Sequence, residues 1–365
     1  MTLIIMDREE IVGEFFRHGH LLTDEAIKII EEKGIGEFLN KKLPFVIEVK
    51  DLKGPEYKVL KNLTSRKTEL TTEDFVRFSN SRYDKMRRII TNRLRKDFIS
   101  INKLDSARSE VYVIGIAREI KEKDNKKIVE LEDPTARIPV IFDNIEDLEL
   151  DDIVAVQAIA GGKVLFGKKI LYPDIPLRQP TTGTGRACFI SDVRLDESPQ
   201  KDAERFFEWF SQQDIPYLFV SGRVGNKATL EGYIERYCYI KTVFVIAGNE
   251  EYPQLPEKFN NSRIVSLSNP AMIELGGLKI LMLQKASIAM LKKRYLGKSQ
   301  VILDEDYLAL EDVPDIVHTG HSADPYVTNY KSVTLVNSGS LLGDFRPIVV
   351  NFATRDVEKI SLQRT

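Results

Sequence analysis

From residue 186 onward the chain repeats one pattern, a short and almost wholly apolar run that ends on a small or polar residue. ACFISD, IPYLFVSG, KTVFVIAG, RIVSLS, LKILMLQ, DIVHTG and SVTLVNSG have this form, and PIVVNF is a further apolar run. Runs this short with so little polar alternation read as strands buried on both faces. Between the first two lies QKDAERFFEWFSQQ, an amphipathic helix that places Phe206, Phe207, Trp209 and Phe210 toward a core. Residues 186–365 therefore read as one layered α/β domain with two packed sheets. In such domains the loops after the strands' carboxyl ends are where chemistry normally sits.

The preceding half divides differently. Residues 1–60 read as a helical module, because Ile11, Val12, Phe15 and Phe16 recur at helical spacing. Thr23 with Asp24 supplies a cap for a second helix, and Gly34 a stop. Residues 61–83 are polar, lack a clear period and read as a linker. Residues 84–97, DKMRRIITNRLRKD, read as a basic helix with Ile89, Ile90 and Leu94 on its apolar side. Its Arg87, Arg88, Arg93, Arg95 and Lys96 are candidates for tracking DNA phosphates, against the plainer reading of a solvated helix face. From Glu110 the strand-like runs VYVIGIAREIKE, KKIVELEDPTARIPVIF and DIVAVQAIAGGKVLFGKKILY are broken by DN, DP and GG turns, which predicts a small closed barrel completing a unit over 84–180.

Charge and rare residues narrow the chemistry. The 53 basic and 55 acidic residues leave a net charge of −2, so any nucleic-acid contact must come from a local patch. Cys188 and Cys238 sit in apolar surroundings and are expected to be buried thiols, not a disulfide or zinc site. No apolar run is long enough to span a membrane, and MTLIIMDREE does not open a leader peptide, so a cytoplasmic location is expected. His318 and His321 are the only histidines after residue 20, too few for an imidazole-rich dinuclear site.

The ordered strand ends ISDVR, SGR, AGNEE, LMLQ, HTGHSA and VNSGS resemble the calcineurin-like metallophosphoesterases. The resemblance implies an α/β sandwich and two divalent ions, Mn or Mg, that orient an attacking water. On that pattern Asp192, Asn249 and His321 stand at surviving ligand positions. Arg194, Arg223, Gln284 and Ala323 replace ligands, Glu250 replaces the catalytic histidine, and Glu251 stands at the acidic position. Arg223 weighs most, because it stands where a carboxylate would bridge both ions. Repulsion between like charges about 4 Å apart is ~4 kcal/mol per unit pair at an effective dielectric of about 20. The expectation is that no metal cofactor is bound. Arg223 and Arg194 would then stand in the metal positions, paired with Asp192, Glu250 or Glu251.

A barrel followed by such a domain, with the segments VIGIAREI, VELEDPTARIPVIF, PDIPLRQP, HTGH and LVNSGS, resembles the small, B-type subunits of archaeal family D DNA polymerases. The resemblance implies a multidomain α+β chain, with a helical N-terminal module, an oligonucleotide-binding-fold barrel and the phosphoesterase sandwich. It implies a 3′–5′ proofreading exonuclease, with the large catalytic subunit, DNA and, through the holoenzyme, the sliding clamp as partners. The altered ligands predict that this chain is inactive by itself. Two other readings stand beside this one: a nuclease with a single-metal site built from Asp192, Asn249, Glu250, Glu251 and His321, and a free-standing single-strand-binding protein.

Overall fold

A computed structural model of the chain describes residues 7–33, 35, 38, 43–48, 57–67, 69–105, 107–238, 241–246, 248, 252–299 and 301–362. The first helix, α1 (Arg8–Arg17), starts at a reciprocal capping box in which Asp7 accepts from the Glu10 amide and Glu10 accepts from that of Asp7. It packs on α2 (Asp24–Lys33) through Ile11, Phe15, Ala26 and Ile30, with Phe38 and Ile47 closing the small core. Strands β1 (Leu21–Leu22) and β2 (Val46–Ile47) pair in parallel beside them. Gly34, the expected stop, lies outside the described residues.

The expected boundary near residue 60 and the linker over 61–83 need correction. Strand β3 (Tyr57–Lys61) runs antiparallel to a strand more than 200 residues later, at the edge of a C-terminal sheet. Residues Thr72–Leu94 form one continuous helix, α3, capped by Thr71 and Asp74 through another reciprocal box. Its first half, TEDFVRFSNSRY, leaves Phe75 and Val76 exposed, so its apolar residues do not mark one buried face. The T-x-x-D spacing of Thr71 and Asp74 was the available signal. Asp74 is buried, and Lys67 and the Thr71 amide hold its carboxyl down to about 2.

Five strands close into a barrel in the order β4-β5-β6-β8-β7. They are β4 (Glu110–Lys123), β5 (Lys126–Glu132), β6 (Arg137–Phe142), β7 (Ile153–Ala160) and β8 (Leu165–Leu171). Val113, Ala117, Val129, Leu131, Val140, Val156 and Ala158 alternate inward to fill it. The LEDPT turn is pinned by Asp133, whose carboxylate accepts the amides of Thr135, Ala136 and Ile101.

The C-terminal domain is a sandwich of two sheets. One has the order β12-β11-β10-β9-β18-β19, and the other β16-β17-β15-β14-β13-β3. Strands of the first are β9 (Arg186–Ser191), β10 (Tyr217–Ser221), β11 (Thr242–Ile246), β12 (Ile264–Leu267), β18 (Ile348–Asn351) and β19 (Val357–Lys359). Those of the second, besides β3, are β13 (Ala271–Leu275), β14 (Leu278–Leu283), β15 (Ile316–Thr319), β16 (Tyr326–Tyr330) and β17 (Val333–Asn337). Phe189, Phe219, Phe244, Ile273, Ile280, Met282 and Val350 fill the space between the sheets. Helices α4 (Gln200–Gln212) and α5 (Lys227–Tyr237) cover the first sheet through Phe206, Phe207, Phe210, Leu230 and Ile234. The short α6 (Ile288–Lys293) lies over the second through Leu291. Cys188 and Cys238 are buried and unbridged, and burial pushes the Cys238 thiol up to about 12.

Helix α3 joins barrel to sandwich. Tyr83, Met86 and Ile90 pack against Ile114, Ile116, Ile153 and Ala155 of the barrel and Ala309 of the sandwich. Lys85 donates to the Asp306 carbonyl at 2.8 Å and pairs with Glu305 at 2.9 Å. Lys293 of α6 pairs with Asp152 of the barrel at 2.8 Å.

Candidate functional site

The loops that follow β10, β15 and β17 converge on Asp192, the residue after β9, and Gly248 after β11 packs against the β10 loop. Asp192 is buried, with a left-handed φ of 47°. Its carboxylate accepts the Arg223 amide at 3.0 Å and, through the other oxygen, the His321 amide. Its own carbonyl accepts from the Ser340 hydroxyl at 3.2 Å and the Leu341 amide at 3.3 Å. One residue thus ties together the loops after β10, β15 and β17.

The strand ends beneath form a buried polar layer. The Ser191 amide donates to Ser338 Oγ at 2.6 Å, and Ser191 Oγ to the Thr319 carbonyl at 2.8 Å. Both Ser191 Oγ and Ser221 Oγ lie 3.2 Å from His318 Nε2. Asn337 donates to the Thr319 and Gly320 carbonyls at 2.8 and 3.0 Å. Burial lowers the His318 imidazole to about 3, so it is neutral at ordinary pH. Gly222, at φ 73°, lies so close to Asp192 that any Cβ there would strike the carboxylate. A Cβ on Gly320 would come within 2.6 Å of Gly222 Cα, and one on Gly248 would overlap the Gly222 carbonyl carbon. The loops therefore pack backbone against backbone around the carboxylate.

The sequence that folds into this sandwich matches the calcineurin-like phosphoesterase superfamily domain over residues 186–359. Residues 186–359 are a calcineurin-like phosphoesterase domain. Over most of its length the chain is a relative of archaeal DNA polymerase II small subunits. It is 24% identical to that of Methanothermobacter thermautotrophicus, covering 91% of this chain and 92% of the relative. It is 25% identical to that of Archaeoglobus fulgidus over 78% and 73%, and 26% identical to that of Thermoplasma acidophilum over 92% and 86%.

Within the phosphoesterase domain the candidate residues are only partly gathered. Asp192 is at the centre. His321 contributes its backbone amide there, while the residue itself is exposed. Gln284 is half-buried, accepts nearby Asn269 Nδ2 at 3.5 Å, and donates to the Gly248 carbonyl at 3.5 Å. Ala323 is exposed. Asn249, Glu250 and Glu251 lie outside the described residues. Among the described residues, no group of three or more His, Cys, Asp and Glu is placed to hold one ion. The donor set that is described does not fit a dinuclear cluster.

Neither Arg223 nor Arg194 pairs with Asp192, and Glu250 and Glu251, the other expected partners, lie outside the described residues. The Arg223 guanidinium is 46% exposed and pairs with Asp196 at 2.7 Å and Glu197 at 2.8 Å. Arg194 pairs with Glu197 at 3.3 Å. Two carboxylates a few residues downstream of Asp192 meet both arginines in solvent, where charge costs least to keep. Only the Arg223 backbone faces Asp192. Asp196 and Glu197 were legible as a local acidic pair in VRLDES, but nothing in sequence spacing said that they, and not Asp192, would take the arginines. Ser191, Ser221, His318, Asn337 and Ser338 were also missed, although a small polar residue at each strand's carboxyl end was visible.

The basic helix is placed as the end of α3, with Arg87, Arg88, Arg93, Arg95 and Lys96 all exposed. Two of them are tied inside the molecule. Arg88 pairs with Glu311 at 2.7 Å, and Arg93 donates to the carbonyls of Tyr172 and Pro173 at 2.9 and 2.8 Å. Lys96 lies over the Tyr112 ring at 5.3 Å. Among the described residues no helix is long and apolar enough to cross a membrane.

Proposed function

We propose that this chain is the small subunit of a heterodimeric archaeal family D replicative DNA polymerase, supporting the large catalytic subunit. The observation that carries this reading is the match to DNA polymerase II small subunits along nearly the whole chain, with the phosphoesterase domain in its C-terminal half. The five-stranded barrel is read as the oligonucleotide-binding fold of such subunits. The 3′–5′ nuclease activity is absent from this chain and no catalytic metal is bound: Asp192 is engaged by backbone amides, and Arg194, Arg223, Gln284 and Ala323 supply no ligand set. What remains is a rigid scaffold whose strands and helix faces dock the partner. DNA and the sliding clamp are met within the holoenzyme.

Co-expression with a large family D subunit tests the assembly. One stable complex on size-exclusion chromatography at moderate salt is the expected result. A chain that stays alone and binds single strands tightly would favour the free-standing binding protein instead. Incubation of the purified chain with mismatched primer ends and Mn²⁺ tests the activity. Metal-dependent 3′–5′ release that disappears in Asp192→Ala would establish the single-metal nuclease.

A further inference from the structure

In a dinuclear phosphoesterase the charge of a central carboxylate is balanced by cations. Here the carboxylate of Asp192 is 1% exposed as a residue and has no cationic side chain against it among the described residues. A buried carboxylate left without donors is strongly unfavourable. Its balance comes from main-chain dipoles instead: one oxygen accepts the Arg223 amide and the other the His321 amide. Fixed amides need no reorganisation to make these bonds.

The surroundings match this arrangement. Gly222, Gly248 and Gly320 bring three loop backbones into contact around the carboxylate. The Ser191, Ser221 and His318 layer holds the same strand ends from below without a charged group. We propose that Asp192 has changed from a metal ligand into a metal-independent anchor, whose two carboxylate oxygens lock the β10 and β15 loops to the β9 strand. It acts as a positioning residue. This deepens, and rests on, the reading that the site does not hydrolyse phosphodiesters. It also gives Asp192 a role that does not depend on the positions held by Arg194, Arg223, Gln284 and Ala323. Without it two loop amides lose their acceptors, and the left-handed backbone at residue 192 keeps its strain.

Thermal unfolding of the full chain tests the inference. The melting temperature should be the same in millimolar Mn²⁺, in Mg²⁺ and in EDTA. Asp192→Ala should melt lower by about 5 °C or more, the shift order expected when two buried hydrogen bonds are lost from a domain this size. Asp192→Asn should fall between them, since it keeps one acceptor oxygen but turns an NH₂ group toward the second amide. Two results would overturn the proposal. One is a saturable metal-induced rise in melting temperature that Asp192→Ala abolishes. The other is an Asp192→Ala chain that melts at or above the parent in EDTA, as expected when a carboxylate is removed from a repulsive, empty metal cluster. Should the alanine variant not fold, the metal and EDTA melts of the parent and the asparagine variant still decide. Failure of the assembly reading is separate, because it shows on the chromatogram and leaves these melts unchanged.

Discussion

Arg223 reaches solvent because Asp196 and Glu197 meet it there, while its own amide turns inward to Asp192. Side chain and backbone of one residue therefore do different jobs. Arg223→Ala removes only the exposed pair, and exposed pairs contribute little to stability. Its melting temperature should match the parent's within the reproducibility of the scan. A large loss would mean that the guanidinium, and not the amide, holds the site. His318 makes the opposite kind of prediction. Its imidazole is lowered by burial to about 3, against about 6.5 in an unfolded chain. Between those values the unfolded state binds a proton that the folded state refuses, so stability is full above the upper value and is lost as pH falls toward the lower. In denaturant titrations across that window, His318→Gln should show a shallower acid loss than the parent. Parallel slopes would sink the assignment.

Helix α3 and strand β3 carry the largest departures from the sequence-based expectation. Neither is a linker: β3 extends a sheet whose other strands lie beyond residue 270, and α3 fills the seam between barrel and sandwich. Ile90, fully buried in that seam, should cost about 2–5 kcal/mol when changed to Ala, because the cavity lies between two rigid walls. Equilibrium urea unfolding measures this. A cost within error would mean that the seam closes without the helix. A chain trimmed to residues 100–365 would lack β3 and α3 and expose the face of Ile114, Ile116 and Ile153. It should be poorly soluble or melt well below the full chain, and an equal melting temperature would show that barrel and sandwich do not need the helix.

At the scale of the whole molecule, the basic end of α3 splits into two sets. Arg88 and Arg93 fasten the helix to Glu311 and to the Tyr172–Pro173 carbonyls, whereas Arg87 and Arg95 are exposed at its end. Changing Arg87 and Arg95 to Gln should weaken DNA binding by the assembled polymerase and lower the salt slope by about one per lost phosphate contact. Subunit assembly should be unaffected. Changing Arg93, which donates to two carbonyls, should instead lower the melting temperature, whereas the exposed Arg88 pair should contribute little to it. DNA titrations at several salt concentrations, with melts of each variant, separate the sets. A slope that responds only to Arg88 and Arg93 would reverse the assignment.

The uninterrupted apolar runs after residue 186, most closed by a small or polar residue, were enough to specify a two-sheet α/β sandwich, because a strand buried on both faces admits little else. The turn-punctuated runs after Glu110 likewise specified a barrel, and the ordered strand ends carried the family resemblance. The strand at Tyr57–Lys61 was not legible, since its partner is Ala271–Leu275 and pairing between segments so distant leaves no local period. The start of α3 rested on a cap, which a search for apolar periodicity does not see, although the apolar side of its far end was legible. The site divides in the same way. The residues expected at the family's ligand positions were assigned from the spacing of the strand ends. Where the charges went could not be read that way, because Arg223 had several carboxylates within sequence reach. Only the folded loops decided that its guanidinium would pair at the surface while its amide stayed with Asp192.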